Sequence, residues 1–110
     1  MARIVRYAAD VEEFLDEFML ILFEKGYFGF PDSAKEYKDK LTFYIEKYIG
    51  IVNGKDAPDY FSRYGKKLQY ITYQPNNNTT WYILFQQFEN IFLVRYITNN
   101  HVPAAKYFNI

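Results

Sequence analysis

The residues best suited to chemistry lie at the end of the last predicted strand. Asn99, Asn100 and His101 follow an apolar run there, and His101 is the only histidine of the chain. A histidine titrates near neutral pH and can act as a general acid or base, while neighbouring amides can position a polar substrate. The same residues also suit a turn at a strand end, because Asn and His tolerate left-handed backbone. The sequence alone leaves both interpretations open.

A second group of candidates consists of basic residues in the second half of the chain. Residues 55–110 hold six Lys or Arg against three Asp or Glu, a net +3, whereas residues 1–54 hold seven against ten, a net −3. The candidates for phosphate contacts are Arg63, Lys66, Lys67, Arg95 and Lys106. The lysines could equally serve solubility. Arg95 lies within an apolar run, where a charge needs a partner, and is expected to share a face with Leu93 and Ile97.

Three predicted strands in the second half must position these candidates. Residues 79–88 and 91–98 are rich in aromatic and β-branched side chains and are separated by Glu89 and Asn90, a pattern that indicates a β-hairpin. Residues 66–74 predict the strand before this hairpin. The basic pair Lys66 and Lys67 would therefore open that strand.

The first half predicts one strand and two helices. Residues 2–8 form the strand, and apolar residues at helical spacing predict helices from Asp10 to about Gly26 and from Ser33 to about Gly54. The order β-α-α-β-β-β predicts an α+β fold, with an antiparallel helical hairpin packed on a four-stranded, mainly antiparallel sheet, in a single domain over residues 1–110. The segment between the second helix and the following strand is rich in turn residues, and the tail after His101 is expected to add a final turn or strand.

Composition excludes several classes of site. The chain has no cysteine, which excludes a disulfide scaffold, a thiolate zinc site and a cysteine nucleophile, and one histidine disfavours a zinc centre. There is no glycine-rich phosphate loop, and no metal or cofactor is expected. Acidic residues precede any long apolar run, and the longest such run, residues 18–23, is too short to cross a bilayer. The sequence therefore predicts a cytoplasmic protein with no membrane partner.

The element order and the last third of the chain resemble the RelE/ParE superfamily of bacterial toxins. Residues 81–85 (Trp-Tyr-Ile-Leu-Phe) are similar to the Tyr-Arg-aliphatic-aliphatic-Tyr block of the third strand in that family. His101 resembles the basic or histidine residue that ends the fourth strand, and Tyr107 resembles a tyrosine of the tail. By element order the resemblance covers the whole chain, and by residue it begins at about Lys66.

The resemblance implies a RelE-like toxin, a ribosome-dependent endoribonuclease that cleaves mRNA and is neutralised by a cognate antitoxin protein. His101 would then be the acid or base, and Tyr107 would stack on RNA or protonate near the scissile phosphate. Arg95 joins this catalytic group through its charge alone. The expected RNA-binding residues are Arg63, Lys66, Lys67, Asn99, Asn100 and Lys106. Of these, Lys66 and Lys67 would take the place of the lysines that the family has in its second strand.

Two departures from the family pattern keep alternatives open. Tyr82 stands where the family has an arginine of the third strand, and the net charge is zero, whereas ribosome-binding members are strongly basic. One alternative is a gyrase inhibitor in which the helices make the contact and His101 is dispensable. Another is a non-toxic member of the same fold that binds only protein. The sequence leaves the oligomeric state open, with a homodimer among the alternatives.

Overall fold

The chain forms an α+β fold in a computed structural model that describes residues 2–24 and 31–108, so the expected helix end at Gly26 lies outside the described residues. No helix among these residues is long and apolar enough to cross a membrane. In chain order, the elements are β1 (Ile4–Tyr7), α1 (Ala9–Glu24), α2 (Pro31–Tyr48), β2 (Lys55–Asp56), a 3₁₀ helix η1 (Asp59–Tyr64), β3 (Gln69–Asn76), β4 (Thr79–Phe88), β5 (Ile91–Asn99) and a second 3₁₀ helix η2 (Pro103–Phe108).

The strands form one five-stranded mixed sheet in the order β1-β5-β4-β3-β2. β1 pairs with β5 in parallel, and the other neighbours are antiparallel. The predicted β4–β5 hairpin is confirmed, whereas the expected count of four strands is wrong. The additional strand, β2, consists of Lys55 and Asp56, which pair with Tyr70 and Gln69. Two exposed charged residues show no apolar alternation, so the sequence carried no strand signal there.

The two α-helices cover one face of the sheet. Val11, Leu15 and Phe18 of α1 pack with apolar residues of α2 and of the three long strands in one buried cluster. The cluster includes Trp81 of β4, whose ring packs edge-to-face with Phe18, with the centroids 4.8 Å apart. The Trp81 Nε1–H donates a hydrogen bond to Tyr37 Oη at 3.0 Å, which satisfies the only polar atom of that side chain.

The opposite face of the sheet is covered by η1 and η2. Phe61 of η1 is fully buried there, and Phe108 of η2 stacks on it at 4.6 Å and on Tyr82 of β4 at 4.0 Å. Residues 81–85 of β4 are consequently all buried, although successive side chains point to opposite faces. The sequence predicted helices on one face only, and the second layer is a finding of the structure.

The α2 helix ends at Tyr48, six residues before the expected stop at Gly54. Gly50 has a positive φ of +81°, and the N–H groups of Ile51 and Val52 both donate to the Tyr48 carbonyl. A Cβ at Gly50 would overlap the ring of Phe92, so glycine is required both by backbone conformation and by space. The prediction was wrong because the apolar helical pattern continues past Gly50 to Val52.

Arg3, just before β1, caps the C-terminal end of α2. Its guanidinium donates hydrogen bonds to the carbonyl oxygens of Ile49 at 2.6 Å, Glu46 at 3.1 Å and Lys47 at 3.2 Å. The last carbonyls of a helix lack partners within the helix and carry its negative dipole end. Arg3 therefore satisfies these oxygens with a positive charge and ties the edge strand to the helical layer.

Replacement of this arginine should cost stability. We expect Arg3→Ala to lower the free energy of unfolding by about 1.5–3 kcal/mol, since it removes hydrogen bonds from a charged donor. Chemical denaturation measures the change. Arg6→Ala is the matched control, because Arg6 lies three residues further along, in β1, is exposed and, within the described ranges, hydrogen-bonds only to the carbonyl of its neighbour Val5, at 3.5 Å. Equal losses in the two variants would contradict the assigned role of Arg3.

Candidate nucleic-acid interface

Three of the predicted site residues meet in one exposed stack formed by η1 and η2. The rings of Tyr60 and Tyr107 lie nearly parallel, with centroids 4.2 Å apart and an angle of 12°. The guanidinium carbon of Arg63 lies 4.2 Å from the centroid of Tyr60. The ammonium of Lys106 lies 5.2 Å from the centroid of Tyr107. We call these four residues the η1–η2 stack.

The stack exists because each 3₁₀ helix is anchored by a neighbouring buried residue. Tyr60 precedes the buried Phe61 and meets its ring edge-on at 5.0 Å. In η2, Ala105 is buried and Phe108 packs in the aromatic cluster beneath, which leaves Lys106 and Tyr107 at the surface. Apolar anchors thus fix the backbone on both sides, and the polar residues between them come together.

No carboxylate in the described part of the chain pairs with the positive charges of the stack. Within residues 2–24 and 31–108, the ion pair that the structure shows is Lys38–Asp16, which joins the two α-helices. The Nε–H of Arg63 donates instead to the Tyr60 carbonyl at 3.2 Å, and no carboxylate of the described residues lies within ion-pair distance of Lys106. A cation over an exposed aromatic ring gains only about 0.5–1 kcal/mol. Both charges therefore stay available to an anionic ligand.

Arg95 lies on the same side of the sheet but has a different environment. It is half-buried, and its Nε–H donates to the carbonyl oxygen of Tyr64 at the end of η1, at 2.8 Å. This bond supplies the partner that an arginine in an apolar strand requires. Arg95 thus connects β5 to the end of η1.

A β-bulge explains why Arg95 reaches this position. The register of β4 and β5 shifts between Leu84 and Phe85, and Arg95 is the β5 residue without a partner at the shift. The extra residue interrupts the alternation of faces, so that Val94 and Ile97 both belong to the helix-side core. The prediction that Arg95 and Ile97 share a face is therefore wrong. A strict period of two cannot reveal an inserted residue.

The two asparagines of the sequence triplet form a polar bracket at one end of the sheet. The Asn100 side chain accepts a hydrogen bond from Thr80 N–H at 2.9 Å and donates one to the Asn78 carbonyl at 3.0 Å. Asn99 Oδ1 accepts the backbone N–H of His101 at 2.9 Å. These bonds fix the end of β5 against the β3–β4 turn and match the turn interpretation of both residues.

His101 is exposed and contacts a residue distant in sequence. Its Nε2 lies 3.1 Å from Thr79 Oγ1, in a hydrogen bond whose direction depends on the imidazole tautomer. The bond fixes the ring at the start of β4, and the second ring nitrogen can still exchange a proton with a ligand. Within the part of the chain that the structure describes, His101 forms no hydrogen bond with the η1–η2 stack.

Lys66 and Lys67 are exposed in the turn that joins η1 to β3. They do not open the strand as expected, because β3 begins at Gln69. The Lys66 carbonyl accepts a hydrogen bond from Gln86 Nε2 at 2.9 Å, and Lys67 has a positive φ of +54°. Both side chains follow η1 directly and add positive charge next to it.

Sequence reasoning missed Tyr60 and Tyr64, although a signal for them was present. Aromatic residues occupy positions 60, 61 and 64 of a segment interpreted as turns, and that density indicates a buried anchor. Tyr64 stacks on Tyr96 of β5 at 4.0 Å and an angle of 8°. Burial, followed by interaction with the Tyr64 hydroxyl, raises the pKa of Tyr96 to about 12.

Comparison of the chain with protein-family models, curated proteins and solved structures finds no match. Among the described residues, no three His, Asp or Glu side chains come together as metal ligands. The chemistry of this surface must therefore be inferred from its own geometry.

The raised pKa of Tyr96 predicts a loss of stability at alkaline pH. Below about pH 10, tyrosine is protonated in both the unfolded and the folded chain. Between about pH 10 and 12, the unfolded chain releases the proton that folded Tyr96 retains, so stability falls as pH rises. Denaturation at a series of pH values should show a shallower decline for Tyr96→Phe than for the unaltered chain, and equal slopes would contradict the assignment.

Proposed function

We propose that this protein binds single-stranded RNA through the η1–η2 stack and acts as a RelE-like, ribosome-dependent endoribonuclease that a cognate antitoxin neutralises. The observation that carries the proposal is the exposed stack itself, which holds aromatic rings together with cations that no carboxylate of residues 2–24 and 31–108 pairs with. Proteins that bind single-stranded nucleic acid combine a positive surface with aromatic side chains in this way. The resemblance to the toxin family supplies the reaction.

Arg63 and Lys106 make the phosphate contacts in this proposal. Both are exposed, and their ring contacts hold them at defined positions without neutralising them. Lys66 and Lys67 extend the positive surface from the adjoining turn. Tyr82, which stands where the family has an arginine, is buried and stacked on Phe108, so Arg63 and Lys106 replace the missing cation.

His101 is the acid or base of the proposed cleavage. Cleavage of RNA by its own 2′-hydroxyl needs a group that takes the hydroxyl proton and a group that stabilises charge on the phosphate. His101 is exposed, carries an imidazole that can accept or donate a proton, and is oriented by Thr79. Arg95 helps to fix η1 on the sheet through its hydrogen bond to the Tyr64 carbonyl.

A second candidate function is protein binding without toxicity. On the helix side of the sheet, Phe43 of α2 is 65% exposed. It borders a groove of about 420 Å³ with Tyr44, Tyr48 and Tyr73 among its walls. A large exposed aromatic side chain beside such a groove favours a protein partner. The net charge of zero also favours this candidate.

Expression of the chain alone in bacteria separates these candidates. We expect growth arrest, and we expect His101→Ala to relieve it at equal soluble protein level because the acid or base is lost. Lys40→Ala, an exposed residue of α2, is the control and should still arrest growth. Normal growth with the unaltered chain would favour the protein-binding candidate. Arrest that persists in His101→Ala would instead favour gyrase inhibition.

The RNA contact can be measured separately from toxicity. Fluorescence anisotropy with a labelled single-stranded RNA should show weaker binding by Arg63→Gln/Lys106→Gln, and the slope of log affinity against log salt should fall by about 1.4 for two lost phosphate contacts. Lys35→Gln/Lys40→Gln removes the same charge from exposed sites on α2 and should leave binding nearly unchanged. Equal effects in the two double variants would contradict a localised RNA surface.

A further inference from the structure

The Tyr107 ring has little free face on which a nucleobase could stack. One face lies against Tyr60 at 4.2 Å and 12°, and the Lys106 ammonium lies 5.2 Å from the centroid of the same ring. Tyr107 is nevertheless 37% exposed. A base would have to displace Tyr60 or Lys106 to stack on this ring. The ring edge and the hydroxyl are therefore the parts of Tyr107 that a ligand can reach without displacing either residue.

Tyr60 is the residue that fixes Tyr107 in place. Its own ring is restrained from two sides, by the buried Phe61 at 5.0 Å edge-on and by the Arg63 guanidinium at 4.2 Å. Among the described residues, the aromatic contact of Tyr107 is the one with Tyr60. The position of the Tyr107 ring thus depends on Tyr60, and Tyr60 is itself held in place by the buried Phe61.

We propose that Tyr60 is a positioning residue that holds Tyr107 so that the Tyr107 hydroxyl, and not a ring face, hydrogen-bonds to the RNA backbone. This inference rests on the proposed RNA binding and names the atom that makes the contact. Tyr60 itself need not touch RNA. A ring that is already fixed loses little conformational freedom when its hydroxyl binds RNA. A hydrogen bond from this hydroxyl therefore contributes more to affinity than the same bond from a mobile side chain.

Two substitutions of Tyr107 test which part of the side chain is used. Tyr107→Phe keeps the stack and removes the hydroxyl, and we expect it to weaken binding of a labelled single-stranded RNA about fivefold to tenfold. Tyr107→Leu should weaken binding to a similar extent. Full affinity in Tyr107→Phe together with a loss in Tyr107→Leu would show base stacking and overturn the proposal.

A double-mutant cycle tests whether Tyr60 acts through that hydroxyl. All variants of the cycle carry Arg63→Gln. Removal of the Tyr60 ring would otherwise also displace Arg63, and that displacement could change RNA affinity by itself. Tyr60→Leu should weaken binding when Tyr107 is intact and have less than about twofold effect when Tyr107 is Phe. Tyr60→Phe should bind normally, and Tyr48→Leu, the same substitution on α2, serves as control. Additive losses would overturn the positioning role.

NMR of the free protein separates this inference from the proposed function. The ring protons of Tyr107 should shift in Tyr60→Leu, because the neighbouring ring current is lost, and should stay in place in Tyr60→Phe. Unchanged Tyr107 signals in Tyr60→Leu would overturn the positioning role whatever the RNA result. Absence of RNA binding by the unaltered chain would instead overturn the proposed function and the role of the hydroxyl. The NMR result would still show whether Tyr60 positions the Tyr107 ring.

Discussion

The burial of β4 on both of its faces is the constraint on which the rest of the structure depends. Residues 81–85 alternate between two cores, with Trp81, Ile83 and Phe85 toward the α-helices and Tyr82 and Leu84 toward the 3₁₀ helices. A central strand with large apolar side chains on both sides needs two covering layers. The α-helices supply one layer. The short segments between and after the strands must supply the other, and this requirement gives η1 and η2 their positions.

The candidate interface is a consequence of that second layer. Phe61 and Phe108 enter the core from η1 and η2, and they fix the two segments side by side on the sheet. The polar residues beside these anchors then meet at the surface, where aromatic and cationic groups can be exposed without loss of core packing. Arg95 reinforces the arrangement, since its hydrogen bond to the Tyr64 carbonyl ties β5 to the end of η1.

The triplet of residues 99–101 and the η1–η2 stack differ in how far the sequence could predict them. His101 with its asparagines was found from composition and position, because a polar triplet after an apolar strand is visible in one dimension. Its contact with Thr79 was not visible, since the β3–β4 turn and the end of β5 meet only when the strands pair. Arg63, Lys106 and Tyr107 were each found by charge or resemblance. Their common stack and the role of Tyr60 needed the packing of segments more than 40 residues apart in sequence.

The sequence by itself determined the α+β class and the positions of the helices and long strands, because apolar periodicity reports which residues of an element are buried together. It could not determine β2, the bulge at Arg95 or the end of α2 at Tyr48. The first two depend on hydrogen bonds to a neighbouring strand, and the last depends on the close approach of Gly50 to Phe92. Tertiary structure alone also decided the second layer of the sheet. Short 3₁₀ segments have too few residues for a periodic signal, and they find a place to pack only on the face of β4 opposite the α-helices.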